Sequence, residues 1–241
     1  MFNLLRKQIG ISAAFLLVYL SSSAQYVELN RPNHDEWPYY FGMTLAYTHS
    51  YLHPNGRHPY FLQNNSVLTA EPGSSGGIAL GLLGTLRLSN RFEARFNPNL
   101  VIGGSRFFRY TVTYPDQAGQ YTVDKTLPTT IVSFPFQIKF NSDRINNFRV
   151  YMMAGLKYDL DLASTSKARN AEDMVKLKGS DYGVEAAIGF NFYMPFVTIS
   201  PEIKFSTGLS NIHSRDPNLK YSAIFDKLQT RMISFSLHLE D

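Results

Sequence analysis

The chain has 241 residues, a hydrophobic content of 44 %, a mean hydropathy of −0.18 and 18 Phe, 15 Tyr and one Trp. That is too polar for a bundle of membrane helices, and it leaves a membrane barrel or a β-rich soluble domain open. The absence of Cys excludes disulfides, a thiol nucleophile, Cys-containing zinc sites and a lipid-modified N-terminal Cys. The net charge of only +4 does not argue for nucleic acid.

Residues 1–24 place Arg6 and Lys7 ahead of an apolar run and then Ser21, Ser22, Ser23 and Ala24. This is the pattern of a secretory signal cleaved after Ala24; the run is well short of the ~20 residues a spanning helix needs. Residues 25–38 are polar and without period, and read as a periplasmic lead-in ending at Trp37, an aromatic suited to an interface belt.

Residues 39–241 read as one transmembrane β-barrel domain. In the first predicted strand Tyr39, Phe41, Met43, Leu45, Tyr47 and Tyr51 share one face, and Tyr40, Gly42, Thr44, Ala46, Thr48 and Ser50 the other. A long polar connection is expected over 53–73. The second strand sets Ile78, Leu80, Leu82, Leu86 and Leu88 against Gly77, Ala79, Gly81, Leu83, Thr85 and Arg87. A tight turn at Ser89 and Asn90 leads to the third, where Phe92, Ala94, Phe96, Pro98, Leu100 and Ile102 alternate with Glu93, Arg95, Asn97, Asn99 and Val101. Residues 106–127 read as a second long polar loop.

The alternation is clearest over 130–162. Val132, Phe134, Phe136, Ile138 and Phe140 form one row of the fourth strand, opposite Ser133, Gln137, Lys139 and Asn141. After a short turn, Phe148, Val150, Met152, Ala154, Leu156, Tyr158 and Leu160 form the outer row of the fifth, opposite Arg149, Tyr151, Lys157, Asp159 and Asp161. Strands this long suit a membrane barrel, which needs ~9 to 11 tilted residues with apolar outside and polar inside. A long charged loop is expected over 163–179. The sixth strand alternates Tyr182, Val184, Ala186, Ile188, Phe190 and Phe192 with Asp181, Glu185 and Asn191. The seventh, after a turn at Met194-Pro195-Phe196, alternates Val197, Ile199, Ile203 and Phe205 with Thr198, Ser200, Glu202 and Lys204. A last long loop is expected over 210–227, and the eighth strand sets Ile233, Phe235, Leu237 and Leu239 against Met232, Ser234, Ser236 and His238.

Connections after odd strands are long and those after even strands short, which is the asymmetry of outer-membrane barrels with periplasmic turns and external loops. The expectation is therefore an all-β, eight-stranded antiparallel transmembrane barrel in the cell outer membrane, both termini periplasmic. A soluble lipocalin-like barrel has the opposite chemistry, apolar within and polar without. Girdle aromatics are expected at Trp37, Tyr39, Phe41, Tyr51, Phe140, Phe148, Phe192 and Phe196.

So narrow a barrel is filled by its own side chains. The inner rows offer Arg87, Arg95, Lys139, Arg149, Lys157 and Lys204 against Glu93, Asp159, Asp161, Asp181, Glu185 and Glu202. They read as a self-neutralising plug, since buried charges need partners; Lys139 and Lys157 are both expected near carboxylates such as Asp159. Asp159 and Asp161 share a face and could in principle form a catalytic pair, though the plug accounts for both. His49, His53 and His58 read as solvated loop histidines and not as metal ligands. His49 with Ser50, and His213 with Ser214, are not placed as base and nucleophile. Gly73-Ser74-Ser75-Gly76-Gly77 lacks the Lys of a phosphate cradle. No catalytic residue, cofactor, metal or small-molecule substrate is expected.

Several motifs together resemble the PorT family of outer-membrane barrel proteins of the type IX secretion system. They are Tyr40-Phe41-Gly42, Glu71-Pro72-Gly73, Leu86-Arg87-Leu88 with Phe96-Asn97-Pro98, Phe134-Pro135-Phe136, Asn146-Asn147-Phe148-Arg149, Tyr193-Met194-Pro195-Phe196 and Gln229-Thr230-Arg231. The resemblance implies a non-enzymatic accessory or scaffold in export of cargo with C-terminal sorting domains, in contact with the bilayer and other components of that system. A lipid-modifying enzyme and a small passive porin are the alternatives. The ending Leu239-Glu240-Asp241 lacks the terminal Phe common in such barrels.

Overall fold

In a computed structural model of the chain, the described residues are 28–57, 67–114, 119–164, 177–214 and 225–241. The predicted leader and His58 lie outside them. Among the described residues a short 3-10 helix (Pro32–Glu36) precedes the strands β1 (Tyr39–Arg57), β2 (Val67–Gly73), β3 (Ser75–Arg87), β4 (Phe92–Phe96), β5 (Asn99–Gly103) and β6 (Arg106–Val112). Then come β7 (Thr122–Leu127), β8 (Thr130–Asn141), β9 (Phe148–Asp161), β10 (Ser180–Tyr193), β11 (Thr198–Gly208) and β12 (Phe225–Glu240).

The sheet closes because β1 pairs with β12 on one side and with β3 on the other. Around the ring the order is β1, β12, β11, β10, β9, β8, the β4 and β5 pair, and β3, all antiparallel. β4 and β5 are halves of a single predicted strand, interrupted at Asn97-Pro98 where Pro98 has no N–H for the ladder. The ring is therefore an eight-stranded barrel, and closure leaves no strand edge facing lipid.

Its faces are inverted relative to a soluble barrel. Phe41, Leu45, Leu82, Phe136, Leu156, Tyr182 and Phe235 point out and are exposed, whereas Glu93, Arg95, Gln137, Lys139 and Glu202 point in and are buried. An apolar belt running right round a protein is far beyond the patch a soluble monomer exposes, and hydrocarbon is the solvent that suits it. At the end carrying the start of β1 and the C-terminal Asp241, Tyr39, Phe41, Phe92, Phe140, Phe190, Phe192 and Phe196 ring the outside; toward the long-loop end Tyr47, Tyr158, Tyr182 and Phe205 do so. Tyr51 and Phe148, also read as girdle residues, are half-buried on the same outer rows.

The two longest polar stretches of the first half are not simple loops. β1 runs on to Arg57, and β2, β6 and β7 form a three-stranded sheet that continues the wall beyond the barrel. β12 likewise starts at Phe225, inside the segment expected to be the last loop. Gly103 (φ 79°) and Gly104 (φ 72°) turn the chain from β5 into β6, a backbone geometry other residues adopt only with strain. In this extension the polarity reverses: Phe108, Tyr110, Val112 and Leu127 point inward and are buried, while Arg109 and Asp124 face solvent and pair at 2.9 Å. Beyond the membrane the outside is water, so the rows obey the rule for a soluble sheet. Charge-rich outer positions made this stretch look like a loop.

Candidate functional site

The described part of the lead-in, expected to be a short polar segment without period, folds across the mouth of the barrel at the end where β12 finishes. Arg31 takes a left-handed conformation (φ 51°) and starts the 3-10 helix, with Pro32 in its first turn. His34 is buried; its Nε2 meets the Asp241 carbonyl at 2.8 Å, and its ring lies 5.0 Å from Tyr40 and 5.4 Å from Trp37. Burial lowers the His34 pKa, opposed by the bond to Asp241 and by Glu240, while the Arg31 and Arg87 charges lower it further. Arg31 donates to Thr198 Oγ1 at 3.1 Å and to the Glu240 carbonyl at 3.2 Å. Asn30 donates its backbone N–H to Asn147 Oδ1 at 2.8 Å and its side-chain amide to the Tyr193 carbonyl at 3.0 Å. The segment is thus a strap tied to β10, β11 and β12 and to the turn between β8 and β9.

Three arginines of the barrel rim converge on one carboxylate of the strap. Asp35 lies 3.0 Å from Arg149, 3.4 Å from Arg144 and 4.0 Å from Arg87. Arg144 also donates to the Asn30 and Arg31 carbonyls and stacks 3.8 Å over Tyr193.

Beneath the strap lies a layer of six ions from five strands. Arg95 donates to Glu240 at 2.6 Å, sits 3.5 Å from Glu202 and faces the Tyr151 ring. Lys139 reaches Glu93 at 3.5 Å and Glu240 at 4.0 Å, with Tyr151 4.2 Å below its ammonium. Tyr40 donates to Glu93 at 2.8 Å and Tyr151 to Glu202 at 2.9 Å; Arg87 closes the set on Glu93 at 3.2 Å. Three cations face three carboxylates, which is the balance a dry interior requires. Gly189 makes room for it: a Cβ there would strike the Tyr151 ring, so only Gly lets that tyrosine lie across the lumen.

Next comes a small chamber lined by Thr44, Thr48, Asn97, Ser133, Ser206 and Ser234 together with Ala46, Ala79, Val101 and Ile131. On its wall Lys157 holds Asp159 at 2.6 Å, Ser133 donates to Asp159 at 2.5 Å, and Lys204 stands 3.9 Å from Glu185, which also accepts from Gln137. Thr44 meets His238 at 2.8 Å and His238 meets Glu202 at 3.3 Å. That line has the order hydroxyl, imidazole, carboxylate, but Thr44 gives its proton to Asn97 (3.1 Å) and Glu202 is already held by Arg95 and Tyr151, so it extends the ion layer. Above the chamber Asp181 accepts from Thr230 at 2.5 Å and from Ser210, and Arg106 donates to Ser50 at 3.3 Å. The long-loop end is then filled by an apolar cluster of Leu52, Phe108, Tyr110, Leu127, Phe225 and Leu228.

Arg87, Glu93, Arg95, Lys139 and Glu202 thus meet in one layer, and Lys157, Asp159, Glu185 and Lys204 in the next. Asp161 is half-buried near the long-loop end, accepting from the Ala163 amide at 3.0 Å. Lys139 is not a neighbour of Asp159: Asp159 pairs in register with Ser133, six residues along β8, or about 20 Å of strand. His49 meets Ser74 at 2.8 Å, and the described residues hold no group of three or more His or acidic side chains placed for a metal. Reading by rows missed Glu240, although it continues the inner row of Met232, Ser234, Ser236 and His238 by one step. It also missed the strap, whose Pro32 followed by Asp35 is a helix-start signal.

The sequence matches the family described as outer membrane protein beta-barrel domain over residues 24–214. Solved structures similar to it include neisserial surface protein A (TM-score 0.44, 11 % identity, covering 83 % of this chain and 95 % of that one). OprG from Pseudomonas aeruginosa is another (0.42, 11 %, 83 % and 94 %), as is Ail, the attachment invasion locus protein of Yersinia pestis (0.40, 11 %, 85 % and 100 %). Among curated proteins none matches.

Proposed function

This chain belongs to the family of outer membrane protein beta-barrel domains, and from that premise we propose that it is a non-enzymatic accessory subunit of a type IX secretion machine, acting through its rims and loops. The observation that carries the reading is the filled lumen. A strap, a balanced ion layer and an apolar cluster succeed one another along the axis, so the barrel is a scaffold and not a conduit for cargo. The secretion role rests on the PorT-like motifs, several of which sit at the strap end: Asn147 and Tyr193 hold the strap.

In this reading both termini and the strap face the periplasm, the three-stranded extension faces outward, and the bilayer and other secretion components are the partners. Deleting the gene then leaves cargo with C-terminal sorting domains stranded in the periplasm, and the wild-type gene restores its surface delivery. Normal surface delivery in the deletion strain would overturn the proposal. An altered lipid A mass in that strain would point instead to a lipid-modifying enzyme.

A further inference from the structure

We propose that Arg87, Arg144 and Arg149 form a socket for a carboxylate-bearing segment of a partner protein, and that Asp35 of the strap occupies it in the resting state. The inference stands apart from the secretion assignment, because it rests on the rim alone.

Socket and occupant differ in how they are held. The side chains of Arg144, Arg149 and Arg87 are 9, 9 and 11 % exposed, whereas that of Asp35 is 30 % exposed. Each arginine has a partner on the barrel in addition to its contacts with the strap, which include bonds from Arg144 to the Asn30 and Arg31 carbonyls and from Arg87 to the His34 carbonyl. Arg144 stacks on Tyr193 and donates to the Asn146 carbonyl at 2.7 Å and to Asn147 Oδ1 at 3.1 Å. Arg149 lies 5.8 Å from the same ring, and Arg87 is anchored on Glu93 through both Nε and Nη2. Guanidinium forks fixed in this way are preorganised for carboxylate oxygens.

One carboxylate under-fills the site. Arg144 and Arg149 face the single carboxylate of Asp35, the Arg149 Nε is buried without a hydrogen-bond partner, and Arg87, already paired with Glu93 at 3.2 Å, adds only a 4.0 Å contact too long for a hydrogen bond. A segment presenting two or more carboxylates matches that charge better than the strap does. The strap is held to the barrel by hydrogen bonds at Asn30, Arg31 and His34 and runs on into β1 through Pro38, whose carbonyl accepts from the Arg87 amide at 2.8 Å, so a competing segment must displace those bonds for the strap to leave. Leaving also relieves the left-handed Arg31.

The test uses the full mature chain in nanodiscs and a hexaglutamate peptide, with emission from Trp37 as readout, this being the only tryptophan and part of the strap. Titration of wild type should change the emission saturably, and hexaglutamine should not. Asp35→Asn removes the resident carboxylate and should tighten hexaglutamate binding by about tenfold or more, the worth of one charge-assisted hydrogen bond. Arg149→Gln added to Asp35→Asn should abolish the gain. An Asp35→Asn protein that binds no tighter than wild type, or a double variant as tight as the single one, overturns the proposal. So does a signal that follows the anionic lipid content of the nanodisc and not the peptide. Should Asp35→Asn lose the heat-modifiable folded form, the wild-type titration decides alone: no saturable response overturns the socket.

Discussion

Arg95 on β4 donates to Glu240, the penultimate residue of the chain, at 2.6 Å with both side chains wholly buried in the lumen. The pair ties the last residues of β12, the strand that closes the barrel on β1, to the far wall. The same chemistry at the rim, Arg91 with Asp143 at 3.1 Å, is 57 and 81 % exposed and screened by water.

The two pairs should therefore respond differently to truncation. Glu240→Ala or Arg95→Ala strands a buried charge and should lower stability by roughly 3 to 5 kcal/mol. Asp143→Ala should cost less than about 1 kcal/mol. Urea titrations of the folded, unboiled gel species in detergent measure both; equal effects would show that lumen water solvates the inner pair.

The second expectation is electrical. Planar-bilayer recordings of the wild type should show at most rare, small openings, because the ion layer lies across the axis below the strap. Freeing the strap with Asp35→Asn should leave the barrel almost as silent. A steady ion-selective conductance in the wild type would revive the porin reading.

The third concerns pH and follows from His34. Its pKa is depressed in the folded state, chiefly by burial, relative to an ordinary value near 6.5. The folded state thus binds the proton less readily than the detached strap, so its contribution is complete above about pH 6.5 and declines as the pH falls toward the folded pKa. Protonation charges a ring whose neighbours include Arg31 and Arg87, against only Glu240 and the Asp241 carbonyl on the other side. Acidification from pH 7.5 to 5 should release the strap, seen as faster cleavage after Glu36 by a Glu-specific protease, and His34→Gln should flatten the profile. A wild-type rate independent of pH would refute it.

The barrel was legible in the sequence because inner and outer rows meet opposite solvents, so every other residue carries the same message. Glu93, Arg95 and Glu202 could be assigned to the lumen on phase alone. Which of them touch could not, since that depends on the stagger between strands: Lys139 sits a full layer away from Asp159, and Glu93 and Arg95 take different partners. The strap was illegible for another reason. Asn30, Arg31, His34 and Asp35 form only one short turn, and its position is set by Asn147, Tyr193, Thr198 and Asp241, all more than 100 positions away.

The phase reversal beyond the membrane supplies the last prediction. Phe108 is fully buried, its ring 4.6 Å from that of Phe225, and this contact joins β6 to the start of β12. No membrane covers this end, so the three-stranded extension holds by an apolar cluster that it shares with the outer ends of β1 and β12, packed as in a soluble sheet. Phe108→Ala should cost about 3 to 5 kcal/mol there. The barrel below is closed by its own ladder and ion layer, so the loss should stay local. Limited proteolysis should cut within β6 and β7 at protease levels that spare the wild type, while the heat-modifiable barrel core persists. If Phe108→Ala lowered the stability of the whole barrel instead, extension and barrel would be a single cooperative unit.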